Sequence, residues 1–208
     1  MATVTLPTFH KEHSDNVRLS SDNRVATREQ GFDSGLCALS APLSDSLPAP
    51  SAATANPNQS SSRVQLLVTH TDTKWSGGLW LGVCPSTPSR ATLPANAASA
   101  AQGWAFAQVP QKAIGEGTLL TVWLDVGSRA LCYESSGGGI GALDLDGDDA
   151  EKNGEVLLDD AEILDCLDAK HQLWFYIDIY GFVKQVQVLG VHISIFHFAS
   201  FVEELITG

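Results

Sequence analysis

Apolar and polar residues alternate along most of this chain, in short runs closed by turn-forming residues. In residues 63–70 (RVQLLVTH), Val64, Leu66 and Val68 fall on one side. In residues 118–125 (TLLTVWLD), Leu120, Val122 and Leu124 do the same. Residues 173–180 (LWFYIDIY) put Leu173, Phe175, Ile177 and Ile179 on one face, with Trp174, Tyr176, Asp178 and Tyr180 on the other. Shorter runs repeat the pattern at NVRLS, RVATRE, GLCALS, RALCYE and VKQVQVL, separated by signals such as Ser21-Asp22-Asn23 and Gly181. A side-chain period of two, broken every few residues by a turn, predicts about ten short strands. The fold class that follows is all-β, an antiparallel sandwich of two sheets.

The stretch WSGGLWLGV (residues 75–83) tests that reading. As a strand it turns Trp75, Gly77, Leu79, Leu81 and Val83 toward the core and Ser76, Gly78, Trp80, Gly82 and Cys84 away. The glycines beside Trp80 leave space for its ring or for a neighbouring backbone. No Lys-Ser/Thr ending and no helix follow the glycines, so a phosphate loop is excluded. The stretch is read as packing, with Trp75 at the strand entrance as a contact.

Three segments escape the alternation. Residues 44–62 are rich in proline and serine and are expected to be a mobile insert. Residues 93–102 (LPANAASAAQ) can form a helical turn on a long connection. Residues 135–171 form a second insert, with a short helix in DDAEILDCLDAK capped by Asp159 or Asp160.

Charge concentrates in that second insert. Of the 24 acidic residues, eleven lie between Asp144 and Asp168, against the single Lys152. Elsewhere basic residues nearly balance acidic ones, and they lie singly. No patch attracts nucleic acid or an anionic membrane. Asp144-x-Asp146-x-Asp148 with Glu155 imitates a calcium loop, but Asp149 occupies the turn glycine's place and Lys152 the ninth position. A solvated acidic loop is the favoured reading.

The four cysteines, Cys37, Cys84, Cys132 and Cys166, are too scattered for a zinc site. His10 and His13 lack a third ligand nearby, so structural or surface roles are favoured and neither metal nor cofactor is expected. The N-terminus has no apolar signal segment, and the longest apolar run, in residues 190–201, is too short to span a bilayer. An intracellular, cytoplasmic chain with reduced thiols is expected. No G-x-S-x-G elbow or activated nucleophile is visible, so an enzyme is not expected. Asp178 is read as a carboxylate holding backbone N–H groups near the Tyr180-Gly181 turn, with a binding-site anion as the alternative.

The order of motifs adds a further expectation. FHKEHSDNVRLSSDNRVATREQGFDSGLCALSAPL (residues 9–43), WSGGLWLGV, GWAF (103–106), GEGTLLTVWLD (115–125) and IDIYGFVKQVQVL (177–189) follow one another as in the Neuralized homology repeat, which the chain resembles over residues 9–189. The most specific pieces are Phe9-His10 with Ala26-x-Arg28, Trp75-Ser76-Gly77, and Asp178-x-Tyr180-Gly181. Ser14-Asp15 and the SSGGG of residues 135–139 depart from the family's usual glycine and Asn-Gly turn. The resemblance implies a SPRY-like, concanavalin-like jelly-roll sandwich that recognises another protein, as members do within ubiquitin-ligase systems. No RING finger or SOCS box pattern is present, so a ligase would come from another chain.

The expected organisation is a disordered stretch at 1–8, the sandwich at 9–189 and an apolar tail at 190–208 adding an edge strand. Recognition is placed on loops at one end of the sandwich, with His70, Asp72, Lys74, Trp75 and Arg90 as candidate partner contacts. The expected function is non-catalytic target recognition for a ubiquitin ligase. The alternatives are a scaffold without a ubiquitin link and a lectin-like glycan binder.

Overall fold

A computed structural model of the chain describes residues 7–31, 33–43, 62–100, 103–125, 130–137, 155–159 and 173–193. Among the described residues, eleven strands build two antiparallel sheets. In chain order they are β1 (Val17–Leu19), β2 (Val25–Arg28), β3 (Gly35–Ala38), β4 (Ser62–Thr71), β5 (Leu79–Cys84), β6 (Ala105–Gln108), β7 (Leu119–Asp125), β8 (Ala130–Ser136), β9 (Glu155–Asp159), β10 (Trp174–Ile179) and β11 (Val183–Ile193). The larger sheet runs β1-β2-β11-β4-β7-β8-β9 and the smaller β3-β10-β5-β6.

Alternation places the core where the two sheets face one another. Val64, Leu66 and Val68 of β4, Leu120, Val122 and Leu124 of β7, and Phe175, Ile177 and Ile179 of β10 all enter one buried cluster. Phe9 joins it, pinned by its N–H to the Asn23 carbonyl (2.6 Å) and by a bridge to Leu39. Asn23 turns the chain between β1 and β2 with a φ of 55°, a conformation asparagine tolerates.

The second face of β10 departs from simple alternation: all six of its residues are buried. Trp174 and Tyr176 form a second apolar layer outside the smaller sheet with Leu36, Ala38 and Cys84, covered by Leu93, Trp104 and Phe106. Trp104 meets Tyr176 edge-on at 4.6 Å and stacks on Phe106 at 5.9 Å. The connection between β5 and β6 thus crosses the sheet's outer face. Gly82 makes this possible, since a Cβ there would overlap the Ala105 carbonyl oxygen and the Phe106 ring.

His10 packs its ring edge-on against Trp174 at 5.9 Å, and the Glu12 N–H donates to its Nδ1 (3.1 Å). Burial holds its pKa below the ordinary 6.5, against the smaller opposing pull of Glu12. The unfolded chain therefore takes up a proton here before the folded one does. Stability is expected to fall as pH drops from 6.5 through the folded value, and to be indifferent to His10 above it. An NMR titration giving His10 an ordinary or raised pKa would contradict this.

Several boundaries differ from expectation. The Thr8 carbonyl accepts from the Ser40 N–H (2.8 Å), one residue outside the expected start of the sandwich. Ser62 already belongs to β4. Residues 75–78 are not strand; β5 starts at Leu79, because Gly77 takes a φ of +101° that extended backbone does not allow. The acidic insert contains β9, paired with β8, and Glu155 opens that strand. β11 continues past residue 189 to Ile193 and lies between β2 and β4 inside the larger sheet, not at an edge. The helical turn foreseen in residues 93–102 is a 3-10 turn at Ala97–Ser99, capped by the Asn96 side chain. Most of the insert expected to be mobile at 44–62, the carboxylates 144–149 of the calcium-like pattern, Cys166, the stretch beyond Asp159 where a helix is expected and the tail from residue 194 lie outside the described residues.

Candidate functional site

Three connections meet at one end of the sandwich. The first follows β4. The Asp72 side chain accepts from the Lys74 N–H (3.1 Å) and the Asp72 carbonyl from the Trp75 N–H (3.3 Å), which closes a tight turn. The second is the β10–β11 turn, where the Phe182 carbonyl accepts from the Asp72 N–H (2.6 Å). The third runs from β6 to β7 and is anchored by Thr118, which is fully buried. Thr118 Oγ1 accepts from the Gly115 N–H (2.8 Å) and donates to the Gly137 carbonyl (3.0 Å).

The first two connections interlock through glycines. Gly181, with φ +59°, lies against Ser76 and Gly77; a Cβ there would collide with the Ser76 carbonyl oxygen and come within 2.8 Å of the Gly77 Cα. At Gly77 a Cβ would come within 2.9 Å of the Tyr180 ring. Only glycine permits both the backbone angles and this approach.

Between the three connections lies a groove of about 470 Å³. Ile114 and Phe182 give it an apolar floor, Trp75 forms one wall, and Thr71, Thr73, Gln111, Lys112 and Glu116 stand around them. Trp75 is 39% exposed and is the one large apolar side chain left open among the described residues. His70 Nδ1 lies 3.4 Å from Glu116 Oε2 on the exposed rim, and the Thr71 N–H donates to the same oxygen (3.4 Å). An apolar floor with one aromatic wall and a mixed polar rim can take up one side chain of a partner while satisfying its backbone.

The expected contacts divide. Trp75 lines the groove, and His70 reaches its rim through Glu116. Asp72 shapes the turn beneath Trp75, with Lys74 exposed beside it. Arg90 is not part of this cluster. It lies on the β5–β6 connection, paired with Asp15, its N–H donating to Glu12 (3.4 Å). Ile114, Phe182 and Thr73 were not expected at the site. Phe182 follows the Tyr180-Gly181 signal directly, which hinted at it; nothing local marks Ile114.

Asp178 is buried, 1% exposed, on the outer face of β10. Its carboxylate accepts from Ser34 Oγ, from the Gly35 N–H (3.1 Å) and from the Ala97 N–H (2.8 Å). Burial pushes its pKa up, while these donors and Arg28 oppose the rise. The structural reading of Asp178 is therefore the right one, although its donors come from the start of β3 and from the 3-10 turn and not from the Tyr180-Gly181 turn.

No protein-family model matches the chain, and no curated protein does. Solved structures share its fold. The crystal structure of the Drosophila melanogaster Neuralized NHR1 domain superposes with a TM-score of 0.62 at 20% identity, over 89% of this chain and 98% of that one. The solution structure of the NHR domain of Neuralized from the same organism gives a TM-score of 0.63 at 19% identity, over 91% of this chain and 95% of that one. The fold expected from the motif order is thus the fold found.

Proposed function

We propose that this chain, which has the fold of a Neuralized NHR domain, is a non-catalytic recognition module that seats a side chain of a protein target in the groove between Trp75 and Phe182. The observation that carries this reading is the exposed Trp75 ring on the wall of a preformed apolar groove. Aromatic residues beside an apolar pocket supply most of the energy of many interfaces. The rim adds charges of both signs, Lys112 and Glu116, with the His70 ring beside Glu116, suited to orienting a peptide. The finer reading is target capture for a ubiquitin ligase supplied by another chain, in the cytoplasm, as the motif resemblance implies. Among the described residues no helix is long and apolar enough to cross a membrane.

Affinity purification with quantitative mass spectrometry tests both levels. Trp75→Ala is expected to cost partner affinity about 2 kcal/mol, roughly thirtyfold. Because the ring is exposed, it should change folding stability by less than about 0.5 kcal/mol. Partners retained by Trp75→Ala would sink the groove reading. Co-purified ligase subunits, with slower target turnover in the chain's absence, support the ubiquitin link. Target proteins without any ligase subunit, and with unchanged turnover, support the scaffold. Selective binding on a glycan array supports the lectin-like alternative.

A further inference from the structure

We propose that Arg28 is the positioning residue of the Trp75–Phe182 groove, acting from beneath through the carbonyls on either side of Phe182. The proposal rests on the reading of that groove as the recognition site, but its geometry stands independently of any partner.

Arg28 ends β2 and is fully buried. Its guanidinium is spread over backbone carbonyls. Nε and one terminal nitrogen donate to Val183 (3.3 and 3.2 Å), and that terminal nitrogen also donates to Gly181. The other terminal nitrogen reaches Gln30 (3.4 Å). Among the described residues no carboxylate forms a salt bridge with it; Asp72, Asp178 and Asp33 act on its charge from farther away, and burial lowers its pKa.

Taking a guanidinium out of water costs several kcal/mol even after relaxation. An apolar side chain would fill the same space without that cost, so packing does not account for arginine here. What a planar fork does, and an apolar chain or a lysine cannot, is hold two carbonyls at fixed separation. Those carbonyls belong to Gly181 and Val183, so the peptide unit entering Phe182 and the one that follows Val183 are both pinned. The Phe182 carbonyl is engaged in turn by the Asp72 N–H. Gly181 lies against Ser76 and Gly77, whose chain continues back to Trp75. One buried cation thereby sets the floor residue Phe182 directly and the wall residue Trp75 through the interlocked glycines, without touching the groove.

Fluorine NMR of the full chain carrying 5-fluorotryptophan tests this without a ligand. The chain has five tryptophans, and the Trp75 signal is identified by its loss in Trp75→Phe. In Arg28→Lys, the Trp75 signal is expected to shift or double while those of Trp104, Trp123 and Trp174 hold their positions. Arg28→Met provides the same readout should the lysine variant not fold. A Trp75 signal unchanged in a folded variant overturns the proposal. So does joint collapse of all five signals in both variants, which marks Arg28 as a general stabiliser. Retention of partners by Trp75→Ala would defeat the groove reading and leave this result standing, so the two failures are distinct.

Discussion

Gly181→Ala is expected to destabilise the chain by about 2–5 kcal/mol, a large share of a typical domain's stability. Two effects add. The left-handed backbone at φ +59° costs an alanine about 1–2 kcal/mol. The new methyl must also displace the Ser76 carbonyl and the Gly77 backbone, which lie well inside van der Waals contact of its position. Forced overpacking of this kind costs about 1–3 kcal/mol. Neither neighbour is a flexible side chain that can step aside. Gly117→Ala is the internal control. It has φ +84°, but nothing stands within 4 Å of a Cβ there, so only the backbone cost of about 1–2 kcal/mol remains. Urea denaturation of the two variants measures the difference. Equal midpoints would show that the crossing of residues 76–77 with 180–181 is not close-packed.

The second large effect is expected at Asp178. Asp178→Ala strands the buried Gly35 and Ala97 N–H groups and takes its acceptor from the half-buried Ser34 hydroxyl. Unsatisfied buried donors cost about 1–3 kcal/mol each, partly recovered when local opening admits water. A net loss of about 3–4 kcal/mol is expected. The opening should be local at first: the Ala97 amide sits on the connection that covers the outer face of the smaller sheet, so its hydrogen exchange should accelerate before that of the β10 amides. Protection of Ala97 unchanged in the variant would contradict the role assigned to this carboxylate.

The pH dependence has a definite sign. The folded pKa of Asp178 lies above the ordinary 3.8 because burial outweighs the donors. The folded state therefore holds this proton to a higher pH than the unfolded state does. The stability it contributes is fully present below 3.8 and is lost as pH rises through the folded value. Asp178→Asn, which cannot ionise, should lack that decline.

The legibility of these features in the sequence follows the range of the interactions behind them. Strands whose one face meets the core, such as β4 and β7, show their alternation directly, because burial on a single side imposes a period of two. β10 gives its inner face correctly, yet its outer face is buried by Leu93 and Trp104 from a connection with no periodicity of its own, and by Phe106 of β6. Nothing local announces that cover. The paired aromatics Trp174 and Tyr176 on the supposed outer face were its trace. β9 escaped because its apolar residues sit amid carboxylates in a stretch read as an insert. Residues 75–78 look like strand because alternation continues smoothly across them, while Gly77 adopts a positive φ that only glycine takes easily. In the groove, Trp75 could be picked from its neighbourhood, but its companions Ile114 and Phe182 arrive from connections far along the chain. Only chain order links Arg90 with Trp75; the β5–β6 connection carries it to Asp15 instead.

Photo-crosslinking in living cells tests the recognition reading most directly. A benzoylphenylalanine at Thr73, on the groove, is compared with one at Gln187 on the outer side of β11. Defined protein adducts from position 73 that vanish when Trp75→Ala is added, with none shared by position 187, are the expected result. Adducts from position 187 that persist without Trp75, and none from position 73, would place recognition elsewhere on the sandwich.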